Sequence, residues 1–275
     1  MREPIFSLAA LTVLELAPPE MVEVAARAGY QAVGLRLIPA TPEEHHFPLV
    51  KDAALLRNTR QRLRDTGLRV LDIEILRLRP DTDVVRDFRQ VLEIGAELGA
   101  SEVLVAGNDD DGARTVDNFT AMCELAGPLG LHPHLEFMPW TGVKTLCQAH
   151  RIVAAARQAG HANACLLVDA FHFNRSASRL EDLERVPPDW LRYVQLCDVA
   201  GPIPASMEAI LHEARQQRGF PGEGDIDLRG LLAALPAGRP LSLEIPTESL
   251  RRQGIPALAR ARRALEAARA VVAGR

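Results

Sequence analysis

The chain has 275 residues, of which 47% are hydrophobic and 25% charged, and its formal net charge is −4. This usage excludes a disordered chain, the lack of any run of about 18 apolar residues excludes a membrane-spanning helix, and the negative balance argues against nucleic acid or an anionic membrane as a general partner. Divided by eight, the length allows about 34 residues for a strand, a helix and two loops, so a single α/β (β/α)8 TIM barrel of roughly 250 residues fits.

The first segment, MREPIFSLAALTVLELAPPE, has Arg2 and then an apolar stretch, as a signal peptide would. Glu3 falls in the would-be basic region, however, and no small-residue cleavage site accompanies the end of the apolar run at Glu15. It reads as a first barrel strand, and a cytoplasmic protein is expected. Further on, helical patterns end at Gly29, Gly67, Gly99, Gly130 and Gly160, spaced 38, 32, 31 and 30 residues apart, and each is followed almost at once by an apolar strand-like run. Glycine closes a helix in the left-handed conformation. Repetition at this period means βα units and a parallel sheet.

Eight strands are predicted near 5–10, 32–38, 69–76, 102–107, 132–138, 165–171, 192–197 and 241–246. Amphipathic helical segments occupy 18–29, 49–67, 81–99, 113–130, 143–160 and 255–274, while 174–190 and 199–226 read as long loops with short helices. No linker or composition shift interrupts 1–275, so one domain is expected. The cysteines at 123, 147, 165 and 197 form no Cys-x-x-Cys pair and read as reduced thiols. No GxGxxG or GxxxxGK[ST] motif occurs, and GFPGEGD at 219–225 follows no strand, so it is not a dinucleotide fingerprint.

In a barrel the chemistry sits at the C-terminal ends of the strands. Polar residues interrupt four consecutive apolar runs there: Glu136 in HLEFMPW, Asp169 followed by His172 in LLVDAFHF, Gln195 with Asp198 in YVQLCDV, and Glu244 in LSLEIPTE. Burying three carboxylates at one mouth is prohibitive without cations. One divalent metal held by Glu136, Asp169, Gln195 and Glu244 resolves this, and hard oxygen donors favour Mn, Mg or Co over Zn. Asp198 reads as a cap or supporting group, and His132 and His134 as packing below the site or as support for its ligands. Arg215 reads as solvated, and His45 and His46 as part of a solvated loop.

At these strands the sequence resembles the xylose isomerase-like barrel superfamily of sugar phosphate isomerases and epimerases. The resemblance rests on LEFMPW, VDAFH, VQLCDV, EARQQRGFPGEGD and LSLEIP, between about 130 and 246. It implies a ligand set of Glu, Asp, His or Gln, and Glu in strand order, which maps onto Glu136, Asp169, Gln195 and Glu244. It also implies a divalent-metal-dependent isomerase or epimerase of a sugar or sugar phosphate, which removes a proton next to a carbonyl through a metal-stabilised enediolate. Glu136 and Glu244 are then the acid/base pair, and His172 orients or protonates a substrate hydroxyl.

Gln195 stands where many epimerases of the group carry His. It is similar to the dehydratase branch of 3-dehydroshikimate or keto-inositol type, the alternative reading; a non-catalytic ligand-binding barrel is the third. Arg218, Glu74 and Trp140 are the expected contacts to a small polyhydroxylated carbonyl substrate. The superfamily's DNA endonuclease is set aside, because the strand ends hold few histidines and the net charge is negative. Homo-oligomers are common in the group, and no segment here marks an interface.

Overall fold

Each of the five junction glycines has a positive φ, from 69° at Gly67 to 100° at Gly160. A side chain would be strained in that conformation, so each glycine ends its helix and turns the chain toward the next strand. The computed structural model describes residues 4–274. Its strands are β1 (Phe6–Leu8), β2 (Ala32–Arg36), β3 (Arg69–Leu78), β4 (Glu102–Gly107), β5 (His132–Glu136), β6 (Cys165–Asp169), β7 (Val194–Leu196) and β8 (Leu241–Leu243). They pair in parallel and in sequence, β8 returning to β1, to close the expected barrel.

The helices are α1 (Pro18–Ala28), α2 (Ala53–Thr66), α3 (Val84–Glu97), α4 (Gly112–Ala126), α5 (Leu146–Gln158), α6 (Ala170–Arg175), α7 (Leu180–Leu183), α8 (Met207–His212), α9 (Leu228–Ala234), α10 (Glu248–Arg252) and α11 (Ala257–Ala273). The pattern from Leu49 predicts an earlier start for α2. Asp52 sets the start instead, its Oδ1 accepting from the amides of Ala54 and Leu55 at 2.9 Å each. No helix among the described residues is long and apolar enough to cross a membrane, and the four cysteines are free.

Two hydrophobic layers divide the strand residues. Val33, Val70, Ile73, Leu76, Val103, Val105 and Val194 join the large core between barrel and helices. A smaller cluster, including Ala32, Leu71, Ile75, Leu104, Leu167 and Tyr193, fills the inside. Strand β3 shifts register twice, between its pairings to Val33 and Gly34 and again between Ile73 and Leu76. Its outward residues Val70, Ile73 and Leu76 therefore recur every three positions rather than every two.

Beyond β7, the expected capping role of Asp198 is filled. Its Oδ1 accepts from the amides of Val199 and Ile226 and its Oδ2 from that of Gly222, at 2.8, 3.1 and 2.9 Å. The buried carboxylate thus folds the GFPGEGD loop under itself. Asp198→Ala is expected to destabilise the protein by about 2–4 kcal/mol, since it orphans three amides at once. Urea denaturation measures this; a loss below about 0.5 kcal/mol, the size of an ordinary surface substitution, would mean that the loop is held elsewhere.

Candidate active site

Strand pairing brings the polar strand ends together. Asp169 and Gln195 are register partners on β6 and β7, and Gln195 is partnered in turn by Ser242 on β8, two residues before Glu244. Glu136, Asp169, His172, Gln195 and Glu244 are all at most 5% exposed. Asp169 caps α6: its Oδ1 accepts from the His172 amide at 2.9 Å, which turns the imidazole toward the mouth. The His172 Nε2 lies 3.6 Å from Glu136 Oε1 and 3.9 Å from Asp169 Oδ1. Trp140 stands edge-on to His172 at 5.0 Å between ring centroids and walls this side of the cleft.

Arg218 is the cation within the cluster. Its Nη1 donates to Asp169 Oδ2 at 3.1 Å and to Glu244 Oε2 at 2.9 Å, its Nε donates to the Ala214 carbonyl at 2.9 Å, and its guanidinium lies over Phe171. A π-helical turn over Glu213–Gln217 delivers it. Glu74 is fully buried and paired with Arg36 at 3.1 Å, and Arg36 also holds Glu44 at 2.8 Å. His134 lies lower in the barrel, its Nε2 2.7 Å from Glu102 Oε2 and its ring edge-on to Tyr193. Arg215, His45 and His46 are exposed.

Burial pushes the Glu136 carboxyl well above the usual carboxylate range, with Glu244 and Asp169 adding to the effect and Arg218 opposing it. Burial likewise raises Asp169 against the pull of Arg218. It lowers His172 well below the usual histidine range, Arg218 adding to it, so the imidazole is neutral near pH 7. The donor set fits a hard divalent cation. Glu136, Asp169 and His172 each offer a ligand atom within 4.8 Å of the others. Glu136 Oε1 and both polar atoms of Gln195 are buried with no hydrogen-bond partner among the described residues.

Glu136, His172 and Glu244 open onto a cleft of about 260 Å³ whose lining also includes Arg36, Arg77 and Arg218. Arg36 and Arg77 were not singled out as site residues from the sequence. The arginines at the ends of β2 and β3 carry no mark of facing inward until the register of β3 is known.

The model for the xylose isomerase-like TIM barrel matches residues 22–271. The chain belongs to this family. The 3-dehydroshikimate dehydratase of Pseudomonas putida is 30% identical to the chain over 249 residues, covering 85% of this chain and 36% of that protein. The chain thus spans little more than a third of the length of that curated relative. The inosose isomerase of Bacillus subtilis is 26% identical over 164 residues, 56% of this chain and 55% of the relative. Among solved structures, the IOLI protein, described with a bound zinc atom, superposes with a TM-score of 0.81 over 98% of both chains; at 21% identity this likeness is one of fold.

Proposed function

We propose that this xylose isomerase-like barrel is a divalent-metal-dependent dehydratase acting on a cyclic hydroxy-ketone of the 3-dehydroshikimate type. The observation that carries it is the approach of His172 Nε2 to Glu136 Oε1, 3.6 Å, while Glu244 is engaged by Arg218 at 2.9 Å. A base and a proton carrier then stand side by side. That arrangement serves elimination, in which one group takes a proton from carbon and the departing hydroxyl must receive one from a neighbour. Epimerisation needs two free groups facing opposite sides of one carbon. The 30% identity to a named dehydratase over 85% of the chain points the same way.

In this reading Glu136, Asp169, Gln195 and Glu244, with His172 adjacent, hold the metal ion. When bound, the ion supplies positive charge that polarises the substrate carbonyl and lowers the acidity barrier at the neighbouring carbon. Glu136 takes the proton from that carbon. The C–O bond to the β-hydroxyl breaks, and the same proton, passed through His172, leaves with the hydroxyl as water. Met138 and Trp140, just beyond β5, line the cleft and offer the substrate an apolar wall. Arg218 holds Asp169 and Glu244 in place through its two ion pairs.

Purified protein supplied with Mn²⁺, Mg²⁺ or Co²⁺ and 3-dehydroshikimate is expected to produce the ultraviolet absorbance of 3,4-dihydroxybenzoate, with activity lost on chelation. Deuterium wash-in at an inosose or sugar carbon with no water lost, and no aromatic product from 3-dehydroshikimate, would establish isomerase or epimerase chemistry instead.

A further inference from the structure

Four arginines line the mouth: Arg36, Arg77, Arg215 and Arg218. Arg36 is committed to Glu74 and Glu44, and Arg218 to Asp169 and Glu244. Arg215 is exposed on the π turn. Arg77 differs from all three. It is half-buried, and its Nε donates to the Ala40 carbonyl at 3.2 Å and its Nη1 to Asn108 Oδ1 at 2.9 Å. Both acceptors are neutral, and among the described residues no carboxylate forms an ion pair with it.

Burial lowers the pKa of Arg77 to about 10; Glu136 opposes this through space, and Arg36 and Arg79 add to it. A guanidinium carries five N–H donors in a planar fork matched to carboxylate and phosphate oxygens. Two protein bonds leave part of that fork free. The residue also has a suitable position, because it lines both the cleft that holds Glu136 and His172 and an adjoining pocket of about 430 Å³ with Ile38, Pro39, Arg79 and Thr82.

We propose that Arg77 forms an anion subsite on the β3 side of the mouth, which receives a carboxylate or phosphate substituent of the substrate while the reacting carbon lies against Glu136 and His172. The choice of a ring carboxylate rests on the dehydratase reading; the existence of the subsite does not. Ile75 and Trp140, which line the same cleft, give a ring an apolar surface between the reacting end and Arg77.

Calorimetric titration of the metal-supplied protein with 3,4-dihydroxybenzoate and with its uncharged amide isolates the charge, since the two ring hydroxyls are common to both. The wild type is expected to bind the carboxylate about 10- to 100-fold more tightly than the amide. Arg77→Gln is expected to bring that ratio to about one by weakening only the charged ligand, and Arg77→Lys, which keeps the charge but not the fork, to leave an intermediate ratio. Parallel titrations use inorganic phosphate. Arg77-dependent binding of phosphate but not of the benzoate supports the subsite, names phosphate as its source, and counts against the dehydratase reading. The proposal is overturned if the wild type prefers neither anion, or if its preference survives Arg77→Gln or is unchanged in Arg77→Lys.

Discussion

Glu136→Gln is expected to lower turnover by about 10²- to 10⁴-fold without unfolding the barrel. The substitution keeps the shape of a buried side chain while removing the group that accepts the proton. Because burial already raises the Glu136 carboxyl well above its ordinary range, its charged form destabilises the fold in the absence of a cation. At pH 7 and in the presence of a chelator, the variant should therefore melt above the wild type. Added divalent ion should raise the melting temperature of the wild type more than that of the variant, because one anionic donor has gone. Turnover within a few-fold of the wild type would remove Glu136 from the chemistry. An unchanged metal-induced shift would remove it from the ligand set.

Much of the architecture could be reached from residue order, for a local reason. A helix closed by glycine is a one-residue event, and all five junction glycines adopt the conformation that their spacing predicts. Glu136 on β5, Asp169 on β6 and Glu244 just beyond β8 were also visible, because a charged residue inside an apolar run is conspicuous whatever surrounds it. What lay beyond reach was partnership across the barrel. Arg218 meets Asp169 and Glu244 across 49 and 26 residues of chain, from a π turn that no periodicity announces. Arg77 was obscured by the two register shifts of β3, which change the inside–outside phase partway along the strand. Strand ends also came out shorter than expected at β1, β7 and β8. The chain beyond them keeps single contacts, such as Glu244 N to the Leu196 carbonyl at 3.1 Å, while turning to present its side chains to the mouth.

Asp72 reverses the usual meaning of an alternating pattern, and a stability prediction follows from it. In VLDIEIL, acids alternate with aliphatics, as on a half-exposed strand with its polar side in water. In a barrel the helices cover the outer face, so the acids of β3 turn inward; Asp72 is 1% exposed, its Oδ1 has no hydrogen-bond partner among the described residues, and a Cβ added at Gly34 would sit 2.6 Å from it. Burial raises its pKa well above the usual value, with Glu74, Glu244 and Glu102 adding and Arg36 opposing. The folded protein therefore binds a proton that the unfolded chain releases above its ordinary value of 3.8. Stability falls as pH rises from there toward the folded pKa, by about 1.4 kcal/mol per unit. Asp72→Asn mimics the protonated form and fits the tight space beside Gly34. Urea denaturation of both proteins should give closely similar stabilities near pH 4 and a growing advantage for the variant toward neutrality. Parallel stability curves over that range would mean that Asp72 ionises normally and that a cation or solvent compensates it inside the barrel.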